Sequence, residues 1–153
     1  MNFTIVGPHF GTSTVCTPIL RSLPEWFGIE EATLQYSSEI EHLPTFLASI
    51  SEHTLGFLSL KQHNTFSAEI YVMGVQPEAQ RQGMGQALLH ATQSWLRQQG
   101  VEYLQVKTLG PSHADPNYAR TRDFYQAMGF RPLEELLQIW NEQNPCLILI
   151  KRL

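Results

Sequence analysis

The chain has 153 residues, 42% hydrophobic and 16% charged, with a formal charge of −4, which fits one domain, 1–153, able to bury a real core. It carries no Lys/Arg cluster to track a phosphate backbone, no apolar run that spans a membrane and no signal-like start at Met1–Val6, which disfavours nucleic acid, membrane and secretion and leaves a cytoplasmic reading. Two cysteines, Cys16 and Cys146, do not make a disulfide framework, and a mildly acidic surface suits a cationic acceptor such as an amine.

Taken in order, residues 2–6 alternate as a first strand that Gly7-Pro8 stops. Thr17-Pro18 reads as an N-cap followed by Pro at the first helical place, opening a helix toward Phe27 that Pro24 bends. Trp26 and Phe27, adjacent between Pro24 and Gly28, either cap the core or form a lip for substrate. A second helix is expected over Glu31–Glu41, then two strands, 45–50 and 55–60, joined at Ser51–Thr54.

Lys61–Asn64 makes the next turn, and a central strand runs from Ser67 to Val75, ended by Pro77. Met84, Leu88, Ala91 and Trp95 recur at helical spacing, with Gly100 as terminator. A strand over 103–108, a loop over 110–117, a helix over Tyr118–Met128 capped by Gly129, and strands 130–139 and 145–151 complete the order. The last strand, apolar at Leu147–Ile150, offers a surface for a homodimer.

The loop from Gln80 to Gly85 carries the most specific chemistry. Gly83 and Gly85, flanked by no acids, let an anion approach backbone N–H groups that a helix start leaves unsatisfied, and the helix dipole adds about half a positive charge there. A Walker loop would need Lys then Ser or Thr where Gln86 and Ala87 stand, and a dinucleotide fingerprint would need Gly or Ala where Leu88 stands.

Gln80-x-x-Gly83-x-Gly85 instead resembles the acetyl-CoA motif of the GNAT superfamily of N-acyltransferases. Phe124-Tyr125-Gln126-Ala127-Met128-Gly129-Phe130 is similar to that family's Phe-Tyr-x-x-x-Gly-Phe block, in the expected order. The resemblance covers 67–153 and implies a mixed α/β single domain, with a mostly antiparallel, twisted sheet of about seven strands, splayed at its middle and flanked by about four helices.

By the same resemblance, acetyl-CoA is the co-substrate. Arg81, Gln82, Gly83, Met84 and Gly85 would give backbone contacts to its pyrophosphate, with Gln80 beginning the motif. Met73 and Val75 would pair with the pantetheine arm along a strand in which Gly74 marks a bulge or close approach. Glu69 matches a strand glutamate that serves as base, with Glu25, Glu30, Glu31 and His113 as fallbacks, and Tyr125 matches the tyrosine that protonates the departing thiolate.

The family often places Asn where Tyr118 stands, and Asn117 is adjacent. Trp26 and Phe27 fall where the family has its substrate lip. No metal-ligand spacing is present, and direct transfer to a small-molecule or peptide amine is favoured over an acyl-cysteine. The alternative is a CoA-binding sensor of the same fold that acylates nothing.

Overall fold

The computed structural model describes residues 2–153. Seven strands form one sheet: β1 Thr4–His9, β2 Thr45–Ile50, β3 His53–Gln62, β4 Ser67–Val75, β5 Tyr103–Leu109, β6 Arg131–Asn141 and β7 Asn144–Arg152. Their spatial order is β1-β2-β3-β4-β5-β7-β6. Four helices accompany them: α1 Ser13–Arg21, α2 Glu30–Ile40, α3 Met84–Gln98 and α4 Pro116–Ala127. Every neighbouring pair is antiparallel except β4 with β5, because α3 carries the chain across one face between them. This is the mixed, mostly antiparallel architecture expected.

Each face of the sheet is covered. Leu88, Leu89 and Leu96 of α3, spaced on one helical stripe, bury against Leu58, Leu60, Ala68 and Ile70. On the other face Cys16, Ile19 and Leu20 of α1, with Ile40 of α2, close over Phe57 and Val72. Phe57 is fully buried at the centre of that second cluster. Phe57→Ala should destabilise the fold by about 3–5 kcal/mol through lost transfer and an unfilled cavity, read as a lower denaturant midpoint with an unchanged slope.

Several boundaries differ from the sequence reading for identifiable reasons. β1 continues through Gly7-Pro8 to His9 and absorbs them as a register shift between Val6 and His9. α1 begins at Ser13 and contains Pro18, because the Glu41 carboxylate at the end of α2 accepts Ser13 N–H at 3.2 Å and Ser13 Oγ–H at 2.8 Å. A helix start fixed by a residue so distant in sequence has no local signature. The 23–28 stretch is a set of turns rather than helix, and β2 meets β3 in a tighter turn, with Ile50 opposite His53.

β7 lies inside the sheet, paired to β5 on one side and β6 on the other. Both its hydrogen-bonding edges are therefore occupied, and its apolar run serves the core rather than an edge-to-edge dimer. Cys16 and Cys146 are both free and buried. Burial pushes the Cys16 thiol up to about 11 and raises that of Cys146 too, which removes the thiolate character a nucleophile needs.

Candidate functional site

The parallel ladder between β4 and β5 runs from Ser67 opposite Tyr103 to Ile70 opposite Val106, and then stops. Beyond that point β4 stays with β3, through Val75 opposite Gly56, while β5 stays with β7, through Leu109 opposite Cys146. The two middle strands part, and a cleft of about 1120 Å³ occupies the gap. Tyr71 is the cause in sequence: Ser59 faces Val72 and Leu60 faces Ile70, so Tyr71 is an extra residue in β4.

That one residue also changes which side chains face which layer. Ala68 and Ile70 pack toward α3, whereas after the bulge Val72 packs toward α1, and Met73 and Val75 take the α3 side. The bulge thus sits at Tyr71, while Gly74 answers a different need. A Cβ at Gly74 would stand 3.0 Å from Leu23 Cδ1 and 3.5 Å from Ile19 Cγ2, so the glycine admits α1 and the turn after it.

The backbone of the upper half of β4 is aimed by the ladder itself. Gln76 N–H donates to Leu55 O at 2.8 Å, which sets the alternation of an antiparallel pair and puts the backbone groups of Val72 and Gly74 toward β3. Met73 and Val75 then turn their N–H groups into the gap. Gln80 Nε2 holds the Val75 carbonyl at 2.9 Å, so this motif residue braces β4 rather than pointing freely outward.

One 3-10 turn, Pro77–Ala79, leads to the start of α3. Arg81 and Gly83 both adopt positive φ, 62° and 86°, and Gly83 is the N-cap. No side chain caps this end and no acid lies in its first turn, so the first N–H groups of α3 remain open donors. Arg81, Gly83, Met84 and Gly85 line the cleft. Gln82 does not, as its amide turns back to Glu78 O at 3.2 Å. The open helix end and the parted strands therefore share one space.

Tyr125 lines the same cleft at 5% exposure, its ring edge-on to Phe124 and Phe130 with centroids 5.3 and 5.4 Å away. Burial raises its phenol above the ordinary range, so it stays a proton donor at neutral pH. Glu69 sits one step below the parting, its side chain 7% exposed. Its Oε1 meets His63 Nε2 at 2.7 Å, with Gln105 Nε2 and Lys107 Nζ each at 3.3 Å. Glu69 is behind the cleft wall, and Lys107 is the member of this cluster that reaches the lining.

Trp26 and Phe27 do line the cleft, and both are half-buried. Trp26 is fixed to α4 from two directions, its indole N–H to Thr121 Oγ1 at 3.1 Å and its carbonyl receiving Tyr118 O–H at 3.1 Å. Asn117 is not on the lining; its side-chain oxygen is held by Arg120, and Asp115 caps its backbone. Tyr118 takes the lining position instead.

Sequence reasoning missed Tyr36, Tyr71 and Lys107, all of which line the cleft. Tyr36 sits on an α2 with no motif. Tyr71 and Lys107 lie on strands whose alternation is readable, yet the parting of β4 from β5 that brings both onto one cleft is not.

Comparison with known proteins bears on the family and the fold. The model of the acetyltransferase (GNAT) family matches residues 16–130. A curated relative, the mycothiol acetyltransferase of Beutenbergia cavernae, is 35% identical over 79 residues, which are 52% of this chain and 25% of that protein. The chain thus spans about a quarter of the length of that relative. A GNAT-family chain from Desulfovibrio desulfuricans superposes with a TM-score of 0.86 at 17% identity, covering 99% of each chain. A GNAT-family acetyltransferase from Elizabethkingia anophelis with acetyl-CoA bound gives 0.75 at 20% identity, again covering 99% of each.

Proposed function

Because the chain belongs to the acetyltransferase (GNAT) family, we propose that it transfers the acetyl group of acetyl-CoA directly to a primary amine held in the same cleft. The observation that carries this reading is the meeting of two features in one space: the uncapped, glycine-led start of α3 and the gap where β4 leaves β5. The first suits a diphosphate, the second an extended arm that needs backbone partners.

Acetyl-CoA supplies an activated acyl group on a thiol leaving group. The N–H groups of Arg81 to Gly85 hold the pyrophosphate end, and Met73 and Val75 offer N–H groups along the arm, one of them toward the thioester oxygen as charge develops there. Glu69 receives the amine's proton through a water, since it lies behind the wall. Tyr125 gives a proton to the sulfur as the C–S bond breaks and the C–N bond forms. Solvent restores both protonation states, so the net change is thioester plus amine to amide plus thiol.

Two glycine variants separate conformation from space. Gly83→Val forces a β-branched residue to φ 86°, a strain of about 1–2 kcal/mol, and should weaken acetyl-CoA binding by about tenfold or more in calorimetry. Gly85→Ala places a Cβ 3.5 Å from the Phe124 ring, an ordinary contact, and binding should hold within about twofold.

The function itself is tested by following CoA thiol release across a panel of amines with acetyl-CoA in excess. Release that depends on one class of amine is the expected result. Tight acetyl-CoA binding with no release from any amine would turn the reading into that of a CoA-binding sensor.

A further inference from the structure

The acceptor end of the cleft is walled by rings drawn from separate elements. Trp26 and Phe27 come from the α1–α2 connection, Tyr36 from α2, Tyr71 from β4 and Tyr118 from α4. Phe27 and Tyr36 pack edge to face with centroids 5.7 Å apart, and Tyr36 and Tyr71 at 5.4 Å. The polar handles of this wall are mostly spent inward. Trp26 N–H goes to Thr121, Tyr118 O–H to the Trp26 carbonyl and Tyr71 O–H to Glu39. What these residues turn to the cleft is ring surface, already fixed in place, so a ligand that stacks there orders few side chains on binding.

Charge at the lining points the same way. Among the described residues, Asp123 is the one carboxylate on the cleft wall, against Arg81, Lys107 and Arg120. The acids beside Tyr36 and Tyr71 are committed elsewhere. Glu39 is held by Tyr71 and by Lys61 at 3.5 Å, and Glu69 by His63, Gln105 and Lys107. A molecule carrying several ammonium groups would meet ring surface here, with Asp123 as the one carboxylate of the lining to balance its charge. The acidic net charge of the chain is therefore distributed elsewhere than the cleft.

We propose that the acceptor is a monoamine whose nitrogen is borne on an aromatic or similarly flat apolar group, and that the ring wall selects it against polycations. This rests on the acetyltransferase reading above and narrows its substrate class. The whole protein, saturated with acetyl-CoA, is assayed for CoA release with 2-phenylethylamine, n-butylamine, spermidine and kanamycin. Stacking on two rings should favour 2-phenylethylamine over n-butylamine by about tenfold in kcat/KM, with spermidine and kanamycin lower still.

Tyr36→Leu should raise KM for 2-phenylethylamine about fivefold or more while leaving n-butylamine and the acetyl-CoA dissociation constant nearly unchanged; where that variant fails to fold by circular dichroism, Phe27→Leu is used in its place. Equal kcat/KM for the two monoamines, a preference for spermidine or kanamycin, or a KM rise common to both monoamines would overturn the proposal. If no amine releases CoA although acetyl-CoA binds, the acetyltransferase reading fails. Calorimetry of the CoA-loaded protein then decides the pocket's preference separately: 2-phenylethylamine binding more tightly than spermidine upholds it, and no such difference overturns it.

Discussion

Tyr125→Phe is expected to lower kcat by about two to three orders of magnitude, the usual worth of a positioned acid, with acetyl-CoA affinity kept within about twofold. The substitution removes one oxygen from a ring already packed between Phe124 and Phe130, so the site's shape survives and the chemistry alone is tested. A second consequence concerns pH. Because burial raises the phenol above its ordinary range, Tyr125 remains protonated throughout neutral and mildly alkaline conditions. The kcat profile of the unmodified protein should show no alkaline fall near pH 10, the ordinary phenol value. Unchanged turnover in Tyr125→Phe would remove this residue from the mechanism.

Glu69→Gln should cost about a hundredfold in kcat and carry a pH signature of its own. With the proton acceptor gone, transfer depends on the fraction of amine already neutral, and alkylamines of the lysine type have a pKa of about 10.4. The residual rate should therefore climb about tenfold per pH unit below that value, approaching the unmodified protein at high pH. Stability should fall by about 1–3 kcal/mol, because the Glu69 side chain is 7% exposed and Gln keeps an oxygen for His63 and Lys107 but loses the charge that faces them. A pH profile parallel to that of the unmodified protein would assign the base role to another group.

The back half of the chain was largely legible because its signals are local. Glycines at a helix start, an amphipathic spacing in α3 and the Phe124-Tyr125 block each declare themselves within a few residues, and the structure gathers Met84, Gly85, Phe124 and Tyr125 on one cleft. The front third was less legible because distant partners decide it. Glu41 sets where α1 begins, which leaves Pro18 inside a helix that local rules would start around it. Gly74 stands out within its strand, but the sequence does not say whether such a glycine bends a strand or admits a neighbour. Leu23 and Ile19, brought in by α1, answer that question. The ring wall was hidden for the same reason, since its members are scattered over about ninety positions from Trp26 to Tyr118 and belong to no motif.

The extra residue at Tyr71 acts on β4 as a frameshift acts on a message. Below it the strand offers Glu69 to one layer of the molecule; above it the same strand offers Met73 and Val75 to the other. What the architecture needs at that point is a count, so exchanging the Tyr71 side chain alters only one wall of the pocket. Deleting that one residue would leave Ile70 opposite Leu60 and Val72 opposite Ser59, every later side chain keeping its present layer, and would remove only the bulge at the point where the two middle strands part.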